Sequence, residues 1–325
     1  MKKVFFLALV ALYVFTNHTF AQLKFDLTKV PVRPELFAAG EISTGMSERD
    51  FAFSPDGNEM YYTLQLPQAL FQTLVCRKKN EKGVWGEPEI ASFAGRYSDL
   101  EPAFSADGKM LYFSSNRPLS GTAAKDFDIW VTERNTNGAW SEPRNLGAPV
   151  NTAEDEFYPS IARNGNLYFT AAYTNGPGKE DIFKAEWKNG LYAAPVALDT
   201  NINTKTYEFN AYVSPDEDFI LFTSYGRKDD KGRGDMYISL KGKDGHWKPA
   251  VNLDFLNSSK IDYCPYVSPD KKVLFFTSER VNIPSTYPGA PVKLRQLKRL
   301  MDSPQNGSGD IYWVQMDIVL KAAAN

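Results

Sequence analysis

The chain of 325 residues has only two Cys and two His. Two cysteines cannot make a disulfide scaffold. Two histidines nearly exclude a metal or catalytic site built from several imidazoles. Positive charge is not in surplus either: 37 Lys and Arg stand against 39 Asp and Glu, a formal charge of −2. A general nucleic-acid binder neutralises phosphates with excess Lys and Arg, so that class is set aside. Beyond the N-terminus no apolar stretch is long enough for a transmembrane helix. What is abundant is aromatic residues (14%), 22 Gly and 20 Pro. That mix favours many short strands separated by turns.

The N-terminus reads as an export signal. Met1, Lys2 and Lys3 form a short positive region, Val4 to Phe15 an almost unbroken apolar run, and Thr19, Phe20 and Ala21 a segment with the small residues a signal peptidase reads. Residues 1–21 are therefore expected to be a signal peptide, and residues 22–325 a single exported domain, periplasmic or secreted. Removal of the leader takes Lys2, Lys3 and His18, and leaves 35 basic against 39 acidic residues with His246 as the remaining histidine. Cys76 and Cys264 fall on different strands of different repeats and are expected to stay unpaired, as small buried hydrophobes.

Internal repetition is the strongest signal. Five segments share one template of an acid, a short apolar strand, a turn and a second apolar strand: 48–57, 99–108, 156–165, 208–217 and 262–271. The leading acids Glu48, Asp99, Glu156, Glu208 and Asp262 lie 51, 57, 52 and 54 residues apart, a period that suits one four-stranded unit per repeat. Asp56-Gly57, Asp107-Gly108 and Asn164-Gly165 are tight-hairpin dipeptides. Third strands open at Thr73, Asp128, Asp181, Asp235 and Asp310. Poorer fourth strands are expected where an aromatic precedes a proline, at Trp85–Pro88, Trp140–Pro143, Tyr192–Pro195 and Trp247–Pro249, because proline belongs on a sheet edge. The last repeat lacks a fourth strand. The segment Arg33–Phe37 matches Glu142–Leu146 and is expected to complete it, closing the ring and removing its open ends. The fold class is thus all-β, a five-bladed β-propeller of four-stranded blades.

The motifs Phe-Ser-Pro-Asp-Gly at 53–57 and Ser-Pro-Asp at 214–216 and 268–270, with the Asp-Ile-aromatic third strands, resemble the PD40 repeats of WD40-like, TolB-like β-propellers. The resemblance runs from about residue 30 to the end. It lacks the separate N-terminal α/β domain of TolB and the peptidoglycan-binding domain that follows such repeats in some envelope proteins. It implies a fold rather than an activity, since propellers host enzymes, binders and scaffolds.

In a propeller the first strand is innermost, so the five leading acids are expected to ring one mouth of the central channel. Two residues on, Asp50, Glu101, Tyr158, Asn210 and Cys264 should form a second ring beneath them, because alternate strand residues share a face. Such a crowd of carboxylates repels unless compensated. The functional reading is a site for a hard cation such as calcium, a basic peptide or a polyhydroxylated ligand. The structural reading is that each acid caps its own strand. No organic-cofactor motif is present. A long insertion at 280–309 carries an expected amphipathic helix over 291–301, with Leu294, Leu297 and Met301 towards the body. Lys293, Arg295, Lys298 and Arg299 would then be offered near the mouth as a lid or docking element.

Two functions compete. The first is a non-catalytic, monomeric envelope propeller that binds a protein, peptide or glycan through its mouth, with Glu48, Asp99, Glu156, Glu208, Asp262, Asp50, Glu101, Lys298 and Arg299 as contacts. The recurring serines at the turns have no histidine partner, so nucleophilic catalysis of the triad type is excluded. The second is a glycoside hydrolase that uses Asp50, Asp99 and Glu101 as acid and base or nucleophile.

Overall fold

In the computed structural model, which describes Leu23 and residues 25–324, five antiparallel four-stranded sheets are arranged as a β-propeller. The proposed leader, residues 1–21, lies outside the described residues. Blade 1 comprises Ser47–Phe53, Glu59–Gln65, Gln72–Lys78 and Glu89–Ile90. Blade 2 comprises Asp99–Phe104, Met110–Ser115, Asp128–Glu133 and Arg144–Asn145. Blade 3 follows with Glu156–Ile161, Leu167–Ala171, Asp181–Ala185 and Val196–Ala197, and blade 4 with Tyr207–Val213, Phe219–Tyr225, Asp235–Leu240 and Val251–Asn252. Blade 5 takes Asp262–Val267, Val273–Ser278 and Asp310–Gln315 from the end of the chain and Glu35–Leu36 from its beginning.

The ring closes as the sequence match suggests. Glu35 pairs with Trp313 and Leu36 with Tyr312. Phe37, fully buried, then meets Phe25, Phe51, Phe275 and Trp313 at centroid distances of 4.8, 5.3, 5.0 and 5.4 Å. Apolar clusters fill the spaces between neighbouring blades. The second strands are apolar on both faces because each faces two blades. Cys76 and Cys264 are free and buried.

Two details differ from the expectation. The outermost strands lie just after the proline motifs, because proline cannot donate to a ladder. Trp85, Trp140 and Trp247 instead bridge back to Lys79, Arg134 and Lys241 and turn their rings into the spaces between blades. The insertion does form a helix, α1 (Leu294–Met301), but Leu294 and Met301 are 68% and 67% exposed and no residue of the helix is buried. Its anchor is instead Asn306, which donates to the carbonyls of Met301 and Gly45. The terminal helix α2 (Met316–Ala324) packs Met316 and Val319 into the core between blades 4 and 5. No helix among the described residues is long and apolar enough to cross a membrane.

Candidate functional site

A β-bulge, repeated in all five innermost strands, decides what faces the axis. The pairing register shifts at the same point in each strand. The bulged residues Asp50, Glu101, Tyr158, Asn210 and Cys264 all adopt a left-handed backbone, with φ of 58, 62, 52, 50 and 54°. For residues other than glycine this conformation costs about 1 kcal/mol or more each, and it persists only where the surroundings impose it. The Thr63 hydroxyl on blade 1 receives the Glu101 N–H at 3.1 Å, and Thr170 on blade 3 receives that of Asn210 at 3.1 Å. Neighbouring blades thus hold the bulges in place.

The bulge breaks the two-residue alternation, so the two expected rings do not stack. The leading acids Glu48, Asp99, Glu156, Glu208 and Asp262 are 0–2% exposed. They are turned away from the channel into the spaces between blades. Four of them donate their backbone N–H to the carbonyls of Gly309, Phe127, Glu180 and Gly234, each immediately ahead of a third-strand Asp of the preceding blade. Their carboxylates find partners close by, although Asp99 Oδ2 and Glu156 Oε2 are left without one. Glu48 accepts from Thr44, Glu156 from Thr152 and Tyr173, and Glu208 from Thr204 and Ser224. Arg117, Arg227 and Arg280 reach Asp99, Glu208 and Asp262 at 2.6, 3.2 and 3.0 Å. Four of these acids thus link one blade to the next through the backbone, and none of the five lines either channel cavity described below, so they do not form the expected acidic mouth.

The bulged residues do meet at the axis, around a cation that the repeat template hides. Arg49 Nε lies 2.9 Å from Asp50 and its terminal nitrogen 3.1 Å from Glu101. The same guanidinium approaches Cys264 Sγ at 3.6 Å and lies 5.2 Å from the Tyr263 ring centroid. Glu101 also accepts from Ser114 Oγ at 3.0 Å, from the Tyr158 N–H at 2.7 Å and from Asn210 at 3.4 Å. The Tyr158 hydroxyl crosses the hub to the Pro265 carbonyl at 3.0 Å. Burial first, and the neighbouring Asp50 charge second, lift the Glu101 carboxyl above its ordinary range, while Arg49 pulls it back. Burial disfavours the Arg49 charge, yet the surrounding acids, Asp50 first, hold it protonated.

This plug divides the channel into two cavities. On one side lies a cup of about 490 Å³ lined by Arg49, Leu100, Phe127, Phe157, Phe209 and Tyr263, with Glu180 at its edge. Burial raises the Glu180 carboxyl to about 7. Its loop wall includes Leu70, 77% exposed. On the other side a cavity of about 280 Å³ is lined by Phe51, Phe104, Tyr212, Tyr266 and several prolines, with Asp50, Glu101 and Tyr158 at its inner end. None of the five leading acids lines either cavity. Lys298 and Arg299 are exposed on α1, line neither cavity, and have no ion-pair partner among the described residues. Among the described residues no three His, Cys, Asp or Glu side chains are placed to hold a metal ion together.

No protein-family model matches the chain, and no curated protein sequence does. Solved structures do. A glycoside hydrolase structure matches over 89% of this chain and 92% of its own, at 10% identity and a TM-score of 0.55. A putative TolB from Agrobacterium tumefaciens covers 83% of this chain and 90% of its own, at 15% identity and a TM-score of 0.48. An α-L-arabinofuranosidase from Lactobacillus brevis covers 84% and 91%, at 14% identity and a TM-score of 0.46. At these identities the likeness is one of fold. The chain is a five-bladed β-propeller. One fold hosts many unrelated functions, so the likeness assigns no activity to this chain.

Proposed function

We propose that this propeller is an exported, non-catalytic binding module of the cell envelope. It takes a segment of a partner peptide or protein in the aromatic cup above its sealed hub. One observation carries the reading. Asp50 and Glu101, the two carboxylates that face the axis, are both engaged by Arg49, which leaves no acid and base poised across an open cleft. The cup itself offers the ring faces of Phe127, Phe157, Phe209 and Tyr263, suited to an apolar segment. Exposed Lys298 and Arg299 on α1 would add contacts to acidic parts of such a partner. The leader expected at residues 1–21 supports the envelope address.

The competing reading, glycoside hydrolysis, draws on the elevated carboxyl of Glu101 beside Asp50. Asp99 does not join them, because Ser115 and Arg117 of its own blade engage it and it lines neither cavity. A display selection of random peptides on the immobilised protein tests the binding site. Enriched peptides should lose at least about tenfold in affinity for a Phe157→Ala, Phe209→Ala variant, as expected for aromatic anchors. Peptides that bind both proteins equally would move the site away from the cup.

A further inference from the structure

The outer spaces between blades are filled by different side chains, and the groove of about 780 Å³ between blades 2 and 3 is larger than the pockets of about 540 and 230 Å³ beside Trp247 and Trp85. Between blades 1 and 2, Arg134 stacks 4.0 Å from the Trp140 ring centroid and pairs with Glu59 across the gap at 2.6 Å, while the Trp140 indole donates to the Tyr61 hydroxyl at 2.8 Å. Between blades 3 and 4, Trp247 is buried beneath Lys241 at 5.2 Å, and Glu217 reaches over to Tyr168 and Asn166 at 2.6 and 2.9 Å. Between blades 5 and 1, Phe25 of the N-terminal segment lies 5.9 Å from Trp85, whose other face carries Lys79 at 4.8 Å. Between blades 4 and 5, helix α2 plugs the gap with Met316 and Val319.

Between blades 2 and 3 the same positions read differently. The hairpin after the third strand is one residue shorter, so Tyr192 stands where the other blades have Trp, and Trp187 stands where they have Lys79, Arg134 or Lys241. Met110 stands where blade 1 has Glu59. The ion pair and the cation over the ring are both gone. Trp187 instead meets Tyr192 edge-on at 4.7 Å and remains 42% exposed. The result is an open groove of about 780 Å³, floored by Met110, Tyr112, Leu146 and Ile161 and walled by Trp187 and Tyr192. Two arginines line it, with Asp107, whose carboxylate accepts from Ser105 and the Lys109 N–H, at its wall. Arg163 pairs with Asp216, whereas Arg144 is exposed and has no ion-pair or hydrogen-bond partner among the described residues.

We propose that this groove is a second binding site, and that its occupant is a partner peptide presenting an aromatic side chain next to an acidic residue. The sister gaps show what such a space accepts, since two of them bury an indole ring of the chain itself and a third holds Trp85 half-buried. The missing cation over that ring and the unpaired Arg144 set the charge of the visitor: its aromatic ring stacks on Trp187 and Tyr192, and its carboxylate meets Arg144. The site is separate from the cup and does not depend on it.

The test is titration of a capped pentapeptide, one tryptophan between two aspartates with glycine at each end, followed through the indole N–H signal of Trp187 in an NMR spectrum. The signal should shift saturably, and a peptide with alanine in place of the tryptophan should not move it. The Met110→Glu, Trp187→Arg variant rebuilds the bridge seen between blades 1 and 2. It should bind at least about tenfold more weakly by calorimetry while melting no lower than the parent. Arg144→Glu, an exposed change, should weaken binding several-fold, and Phe157→Ala, Phe209→Ala in the cup should leave it intact. Undiminished binding by the rebuilt or Arg144→Glu protein, failure of the peptide to bind, or saturable binding of an oligosaccharide in its place would each overturn the proposal.

Discussion

Arg49 sits at the template position where the other repeats carry Leu100, Phe157, Phe209 and Tyr263. It is the one cation placed between Asp50 and Glu101, and both carboxylates are 2–3% exposed. Replacing it with methionine keeps the volume but strands two buried negative charges. The loss in urea unfolding should be about 3–5 kcal/mol. Adding Asp50→Asn and Glu101→Gln should restore most of it, because the charges that needed Arg49 are then gone. If the single variant is as stable as the parent, the hub is not held by this network. The departure of Arg49 from an otherwise apolar column was visible in the sequence. The bulge was not: Asp, Glu, Tyr, Asn and Cys share no common preference for a left-handed backbone, and only the pairing of neighbouring strands reveals it. Strict alternation therefore placed the leading acids in the channel and missed the arginine beside them.

At the scale of the strand, the leading acids act through the gaps between blades, and this gives stability a pH dependence. Burial raises Glu48 from 4.5 to about 7, with Asp310 across the ring-closing gap contributing, and burial raises Asp310 from 3.8 to about 6. Glu156 is likewise raised to about 7, chiefly by burial. A carboxyl with a raised folded pKa favours the protonated form. Its stabilisation is complete below the unfolded value near 4.5 and is lost as pH rises through about 7. For Glu48 the span amounts to roughly 3 kcal/mol. Urea midpoints should therefore fall between pH 5 and pH 8, and Glu48→Gln should flatten that slope while leaving stability at pH 5 little changed. A slope that Glu48→Gln does not alter would show that this carboxyl is charged throughout. The repeated spacing exposed these acids as a set. Their direction depended on the bulge, and the outer strands were set a few residues late by the prolines that precede them.

The whole ring depends on joining its two ends, which the likeness of Arg33–Phe37 to Glu142–Leu146 made legible in advance. Phe37 has no exposed surface and touches aromatic rings from blades 1 and 5. Phe37→Ala should cost about 3–5 kcal/mol by loss of packing and the cavity left behind, measured as a lower urea midpoint. A much smaller cost would mean the first segment is dispensable for closure. The gap between blades 2 and 3 differs from its sisters through one shortened hairpin and three exchanged side chains, Met110, Trp187 and Tyr192, which acquire meaning only when the blades stand beside one another. The proposed binding role rests on the sealed hub, in which Arg49 engages Asp50 and Glu101. Its most direct test is hydrolysis of a panel of aryl glycosides and oligosaccharides by the wild-type protein and by Glu101→Gln. Neither protein should release sugar above the rate of the buffer blank. Turnover by the wild type that Glu101→Gln abolishes would show that the buried pair is a working acid and base.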